Sequence, residues 1–159
     1  MNLNPNLSRR QTLNAGLSAS TLGLLLSAGI ITPAQAQTAR NAASFDAKTV
    51  KDAITALGGA AADGAAQITI TSPDIAENGA VVPVGVATTL AGATDIYILV
   101  EKNPNPLSAG FSIPAGTEPN VQTRVKMGQS SNIHAVVKAN GKLYAAVKET
   151  KVTLGGCGG

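Results

Sequence analysis

The stretch 133-IHAVVKANGKLYAAV-147 decides the fold of this chain. Apolar residues recur at every second position on both sides of a central turn: Ile133, Ala135 and Val137 before it, and Leu143, Ala145 and Val147 after it. This spacing is typical of half-buried β-strands. Both residues of the turn, Asn140 and Gly141, accept the positive φ of a type I′ turn. The stretch therefore predicts an antiparallel β-hairpin.

Further strands are predicted on both sides of this hairpin, at residues 67–71, 81–86, 95–101, 110–113, 121–127 and 150–154. About seven short strands separated by turn signals predict an all-β fold, an immunoglobulin-like antiparallel β-sandwich. Pro83 cannot donate a ladder hydrogen bond, so its strand is expected at an edge or at a bulge. The strand 95–101 is apolar on both faces, which predicts a central strand covered twice, by a helix or by a partner subunit.

One short N-terminal helix is predicted before these strands, from Phe45 to Leu57. Its apolar residues follow the i, i+3, i+4, i+7 spacing: Val50, Ala53, Ile54 and Leu57. Ser44 is the expected N-cap, and Gly58-Gly59 ends the helix. Residues 58–66 are expected to form a linker.

The N-terminus predicts export. An arginine pair in 8-SRRQTL-13 precedes a weakly apolar run, and 33-PAQA-36 supplies an A-x-A cleavage site. Twin arginines in this position resemble the bacterial twin-arginine export signal, which predicts that residues 1–36 are a signal peptide and that the protein works in the periplasm. A Sec signal is the alternative, and it leads to the same compartment.

Cleavage after residue 36 changes how the charge of the chain is interpreted. The full chain carries a formal net charge of +3, but Arg9 and Arg10 leave with the signal, so the 123 remaining residues carry +1. No run of Lys or Arg occurs, and only two Tyr and two Phe are present. The composition therefore argues against a nucleic-acid-binding protein.

The only cysteine of the sequence, Cys157, lies in the C-terminal 155-GGCGG-159. Glycine adds no side-chain bulk, so Gly155, Gly156, Gly158 and Gly159 predict a flexible arm that leaves the thiol accessible. From Leu154 the arm reaches roughly 10 Å when extended. A single thiol in an exported protein cannot form an internal disulfide, and it implies an adduct, a partner cysteine or a reactive group. A frayed tail that contains a cysteine by chance is the alternative.

Catalytic motifs are missing from the sequence. His134 is the only histidine and is expected to be a surface strand residue, while Asp74 and Glu77 share what is expected to be a solvated turn. No CxxC, HExxH or dinucleotide-binding motif occurs. The sequence therefore predicts neither a metal nor a cofactor, and the chemistry available is one thiol on an arm. A periplasmic immunoglobulin-like binding module and a thiol-redox module remain alternatives, although no resolving cysteine is present.

Five segments together resemble the SoxY family, the sulfur-carrier subunits of the bacterial thiosulfate-oxidising Sox system: 78-NGAVVPV-84, 101-EKNPNP-106, 123-TRVKMG-128, 136-VVKANGKLY-144 and 155-GGCGG-159. The resemblance extends over essentially the whole chain. It implies a carrier that is not itself an enzyme, with Cys157 as the attachment site and the four glycines around it as a swinging arm. It divides the chain into the signal 1–36, the carrier domain 37–154 and the arm 155–159.

The resemblance also implies partners. Family members pair with the small β-protein SoxZ. The haem protein SoxXA joins thiosulfate oxidatively to the cysteine, SoxB hydrolyses the terminal sulfonate to sulfate, and SoxCD, where present, oxidises the remaining sulfur. A stable heterodimer with SoxZ is also expected because the strand 95–101 and the Pro83 strand are predicted to leave apolar surface uncovered.

Overall fold

Two β-sheets pack face to face in the part of the chain that the computed structural model describes, residues 42–153. The larger sheet has the order β1-β9-β8-β5-β6, with β3 also paired to β9, and the smaller sheet has the order β2-β4-β7. The strands are β1 (Ala61–Asp63), β2 (Ile68–Thr71), β3 (Ile75–Ala76), β4 (Val82–Thr88), β5 (Ala93–Val100), β6 (Leu107–Ser112), β7 (Asn120–Val125), β8 (Ser131–Ala139) and β9 (Lys142–Val152). The predicted all-β sandwich is confirmed; β1 and β3 depart from the antiparallel pattern because they run parallel to β9.

The predicted hairpin is confirmed as β8 and β9. Ala139 pairs with Lys142, and the two residues between them have φ angles of 49° at Asn140 and 75° at Gly141. The Asn140 side chain also donates a 2.9 Å hydrogen bond to the Ala91 carbonyl of the neighbouring loop. The turn therefore sets the register of the hairpin and joins it to the start of β5.

The core lies between the two sheets. It contains apolar side chains of the inward rows of β4, β5 and β8, together with residues of the other strands. The predicted inward row of β8 is confirmed, since Ile133, Ala135 and Val137 are fully buried. In β9 the core-facing residues are Tyr144 and Ala146, which alternate with residues that face the opposite side of the sheet.

The helical segment differs from the prediction. Instead of one helix from Phe45 to Leu57 there are two, α1 (Ala42–Asp46) and α2 (Val50–Gly58). Thr49 causes the break, because its backbone is extended and its Oγ1 accepts a 3.1 Å hydrogen bond from the Asp52 amide. Thr49 is thus the N-cap of α2, and the predicted cap Ser44 lies buried inside α1.

The strand predicted to be covered on both faces, β5, is confirmed as a central strand between β6 and β8. Ile96, Ile98 and Val100 point into the core between the sheets. Leu99 points to the other side, where it packs in a second cluster with residues of α2. The chain itself therefore covers both apolar faces of β5, and this strand does not supply the uncovered surface that was expected to bind a partner.

The prediction that Pro83 lies in an edge strand or at a bulge is wrong, because β4 is the middle strand of the smaller sheet. Two features of the register allow this. The partner β2 ends at the pair Thr71–Gly85, so Pro83 faces no strand on that side. The Thr89 amide donates to the Gln67 carbonyl and so points to the β2 side of β4. Backbone amides point to opposite sides at successive residues of a strand, so the Pro83 nitrogen also points to the β2 side and away from β7. Proline is tolerated because no donor is needed there.

Two short strands lie where other structure was expected. The predicted linker 58–66 contains β1, and the turn expected around Asp74 and Glu77 contains β3. The final strand predicted at 150–154 is the end of β9, which runs without interruption to Val152. Both short strands pair with β9, so their position depends on a distant part of the chain. Among the described residues, no helix is long and apolar enough to cross a membrane.

We predict that Leu99→Ala lowers the free energy of unfolding by about 2–5 kcal/mol, because it empties space between β5 and α2 that is fully closed to solvent. Urea unfolding measures the change. Val147→Ala is the matched control: Val147 lies on the same sheet but is 53% exposed, so its loss should cost about 0.5 kcal/mol or less. Equal costs for the two variants would show that α2 does not cover β5 in solution.

Candidate functional site

The predicted site residues, Cys157 with Gly155, Gly156, Gly158 and Gly159, lie outside the described residues. The structure describes the chain as far as Thr153. It therefore shows the point from which the predicted arm starts, at the end of β9. We call residues 151–153 the arm root.

The arm root is held on one side by β3. The Lys151 amide donates a 2.9 Å hydrogen bond to the Asp74 carbonyl, and the Thr153 amide donates a 3.1 Å bond to the Ala76 carbonyl. These bonds extend the parallel pairing of β3 with β9 to the last described residue. The Thr153 hydroxyl also lies 3.5 Å from the Glu77 carbonyl, to which it donates.

On its other side the arm root is held by Ser130, just before β8. The Val152 amide donates a 2.9 Å hydrogen bond to Ser130 Oγ, and the same hydroxyl donates a 3.4 Å bond to the Val152 carbonyl. A hydroxyl both accepts and donates, so one serine satisfies both backbone groups of Val152 where the β8 pairing has ended. The arm root is thus fixed from two sides.

Gly79 packs directly against the arm root. A Cβ on this residue would lie 2.4 Å from the Met127 carbonyl oxygen and 2.8 Å from Val152 Cγ1, so any side chain would collide. The Gly79 carbonyl accepts a 2.7 Å hydrogen bond from the Met127 amide, which holds the close approach. Asn78 caps the following 3₁₀ turn, Gly79–Val81, through a 2.9 Å bond from the Ala80 amide. We call residues 74–81 the clasp, because they hold the arm root through β3 and Gly79.

Behind the clasp lies a buried polar contact between the two sheets. Ser72 Oγ and Thr150 Oγ1 are 2.9 Å apart, and Thr150 is fully buried. Lys148 Nζ donates a 2.7 Å bond to the Ser72 carbonyl and lies 3.2 Å from the Asp74 carboxylate. Asp74 was predicted to lie in a solvated turn; its side chain is 90% exposed, but it has a cationic partner and belongs to the clasp. These contacts anchor the clasp to β9.

A second group of polar side chains lies where β5 ends beside β8. Glu101 Oε2 accepts a 2.8 Å hydrogen bond from Asn132 and lies 3.3 Å from His134 Nε2. The bonds from Asn132 and His134 hold the pKa of Glu101 below its usual value. The prediction that His134 is a strand residue at the surface is confirmed, since it lies in β8 with a partly exposed side chain. A carboxylate stabilised in its ionised form is poorly suited to proton transfer at neutral pH.

The described residues hold no group of three or more His, Cys, Asp or Glu that could bind a metal ion. An open groove of about 770 Å³ lies beside Pro83, where β2 ends, and Arg124 is the charged residue in its lining. An acid–base pair is absent from this groove. Within residues 42–153 the structure therefore holds the arm root from two sides and presents no catalytic constellation.

Sequence reasoning missed the residues that hold the arm root. Ser130 and the pair Ser72–Thr150 carry no sequence signal, because hydroxyl residues are common in loops and strands. Gly79 had a usable signal: it stands in an Asn-Gly pair inside one of the segments on which the family resemblance rests. Asn-Gly pairs are typical of turns, whereas the structure shows that close packing against Val152 and the Met127 carbonyl requires the glycine here.

Comparison with known proteins found a matching family and solved structures with a similar fold. The family described as "Sulfur oxidation protein SoxY" matches residues 53–157, a range that ends at the cysteine. The sulfur carrier protein SoxY from Chlorobium limicola f thiosulfatophilum is 44% identical, with a TM-score of 0.60, over 67% of this chain and 97% of that chain. A superoxide reductase (neelaredoxin) from Ignicoccus hospitalis is 20% identical, with a TM-score of 0.48, over 55% of this chain and 80% of that chain. Curated protein sequences gave no match.

We predict that Gly79→Ala lowers the free energy of unfolding by about 1–3 kcal/mol, because its methyl group would overlap a backbone carbonyl and the arm root. Amide hydrogen exchange at Val152 and Thr153 should also accelerate as the clasp moves away. Gly128→Ala is the control, since a Cβ there meets nothing within 4 Å. If both variants were as stable as the parent, with unchanged exchange, the clasp would not depend on this contact.

Proposed function

Because the chain belongs to the SoxY family of sulfur oxidation proteins, we propose that it holds thiosulfate-derived sulfur covalently on Cys157 and presents it to the Sox enzymes. Membership of this family makes the chain a sulfur carrier protein and not a catalyst. The observation that carries the proposal is the extent of the family match, which runs through the β-sandwich and ends at the only cysteine of the sequence.

The carrier role suits a chain that is held in place up to Thr153 and then continues into glycines around the thiol. The clasp and Ser130 hold the chain up to Thr153 with backbone hydrogen bonds. Four glycines then surround the thiol, so that no neighbouring side chain obstructs a narrow cleft. A sulfur tethered to a fixed point also stays at high local concentration near an enzyme bound to the carrier.

The proposed chemistry begins with the Cys157 thiolate. Joining it to the outer sulfur of thiosulfate forms one S–S bond and releases two electrons, which the haem protein SoxXA accepts. SoxB then adds water to the terminal sulfonate and releases sulfate, which leaves a persulfide on Cys157. SoxCD, where the organism has it, oxidises that outer sulfur. The carrier itself contributes only the thiol and its mobility.

The proposed location and stable partner follow from the sequence resemblance. The periplasm is proposed because of the twin-arginine signal at residues 8–13. Pairing with SoxZ is proposed from the family alone, because the chain itself covers the apolar faces of β5. Sedimentation of the purified chain with and without SoxZ tests the pairing, and a monomer without affinity for SoxZ would contradict it.

We predict that Cys157→Ser abolishes thiosulfate-dependent activity in a reconstituted Sox system while the unfolding midpoint stays unchanged, because the residue follows the last described strand in the sequence. Intact-mass measurement of the parent protein from its native host should show sulfur-bearing adducts that a reductant removes. The serine variant is the control and should carry none. Activity that survives the substitution, or a parent protein that never carries an adduct, would refute the carrier assignment.

We predict that Gly158→Val lowers kcat/KM about tenfold with each enzyme that receives the arm, because a branched side chain beside the thiol narrows its access. Gly158→Ala adds less bulk and should fall between the parent and the valine variant. Reaction of Cys157 with a small alkylating reagent, the unfolding midpoint and SoxZ binding should all stay as in the parent. If the valine variant equals the parent with every enzyme, the glycines do not serve access, and the interpretation as a plain tail gains support.

A further inference from the structure

The clasp exposes apolar surface beside the arm root. Three large apolar side chains among residues 42–153 are exposed by half or more: Ile75 by 59%, Val147 by 53% and Val81 by 50%. A single exposed apolar residue is ordinary on a protein surface. Two of these three, however, belong to the clasp, residues 74–81, which holds the arm root. This concentration is the observation from which the inference begins.

Both residues lie next to direct contacts with the arm root. Ile75 precedes Ala76, whose carbonyl accepts from the Thr153 amide. Val81 lies two residues after Gly79, which packs against Val152. The clasp is also well supported, since Asn78 caps its 3₁₀ turn and Lys148 pairs with Asp74. The two apolar side chains are thus carried by a segment whose position relative to the arm root is set by backbone hydrogen bonds.

The length of the arm limits what can approach Cys157. Cys157 stands four positions after Thr153, so its backbone reaches at most about 14 Å from the last described residue. An enzyme that encloses the thiol in a cleft must bring the rim of that cleft within this distance of Thr153. The clasp contacts Thr153 through the Ala76 and Glu77 carbonyls, so a rim that approaches Thr153 on that side comes close to the clasp.

We propose that Ile75 and Val81 form the surface on which the rim of the receiving cleft docks. The partner is an enzyme that processes the sulfur on Cys157. Apolar side chains surround the mouth of its cleft, and the cleft is so narrow that residues without side chains, such as the glycines around Cys157, enter it most easily. This inference rests on the proposed carrier function. Burial of two apolar side chains suits a weak contact that several enzymes make and release in turn.

A permanently bound subunit is a poorer occupant of this surface. It would cover Ile75 and Val81 permanently and would compete with each cleft for the clasp side of the arm root. The surface beside the arm root therefore has to stay open between encounters. A stable subunit such as SoxZ is expected to bind elsewhere on the domain.

The test replaces both apolar residues in the full chain, with SoxZ present where the two copurify, as Ile75→Ser with Val81→Ser. The probe is SoxB acting on carrier loaded with thiosulfate at Cys157, and the readout is sulfate release over a range of carrier concentrations. We expect KM to rise about tenfold, which corresponds to about 1.4 kcal/mol, with kcat within about twofold of the parent. KM should rise because the variant loses the docking contact, and kcat should stay because the cleft of the enzyme and the thiol are unchanged.

Val147→Ser is the matched control, because Val147 is as exposed as the other two but lies on β9 outside the clasp. Its KM should stay within about twofold of the parent value. Loading of Cys157 by mass, alkylation of the thiol and the unfolding midpoint should be the same in all three proteins. If the double serine variant does not fold, threonine at both positions keeps a β-branched side chain, and the same rise in KM is expected.

Two results would overturn the docking surface alone. An unchanged KM in the double variant, with a normally loaded thiol, would show that the cleft does not use the clasp. Loss of SoxZ binding in the same variant would assign the surface to the stable subunit. A parent protein that never loads Cys157 would instead remove the carrier function itself, and mass measurement reveals this before any kinetic comparison.

Discussion

The structure depends on strand β9 being paired on both sides. Its register with β8 runs from Ala139–Lys142 at the turn to Ser131–Thr150 at the far end. On its other side β1 pairs near the start of β9 and β3 pairs near its end. Backbone amides and carbonyls in a sheet interior need such partners, because an unpaired buried group costs free energy. The two short parallel strands provide these partners.

This double pairing explains why the start of the arm is fixed. A C-terminal strand paired on one side only tends to fray, since termini with few contacts open easily. Here β3 and Ser130 continue to bond the chain after the β8 pairing has ended, as far as Thr153. The proposed carrier role benefits from this arrangement, because a thiol on a short arm explores a small volume only if the point of attachment does not move. The close packing of Gly79 against Val152 belongs to the same constraint.

The second constraint is the coverage of β5. A central strand with apolar residues on both faces needs two layers, and in this chain the smaller sheet supplies one and α2 supplies the other. The domain thus closes its own core. Association with another subunit is then a matter of surface recognition, and the docking proposal assigns the clasp to contacts that form and dissociate with each enzyme.

Local sequence determined much of the fold. Alternating apolar residues and the Asn140-Gly141 turn predicted the hairpin, because side-chain period and positive φ are properties of a few adjacent residues. The same reasoning placed the strand at β5 and predicted its double coverage. The resemblance to the SoxY family, carried by five short segments, pointed to the sulfur carrier family that the comparisons then established.

Tertiary structure decided what local pattern could not. Strands β1 and β3 are too short to show a periodicity, and they form because β9 offers unpaired backbone groups next to them. Pro83 lies in a central strand because β2 ends before reaching it, which depends on where two distant segments separate. Ser130 and Gly79 hold the arm root because the fold brings them next to Val152 from distant parts of the chain. The sequence alone determined that one thiol stands among four glycines; only long-range pairing decided how the chain is held at the point where that arm begins.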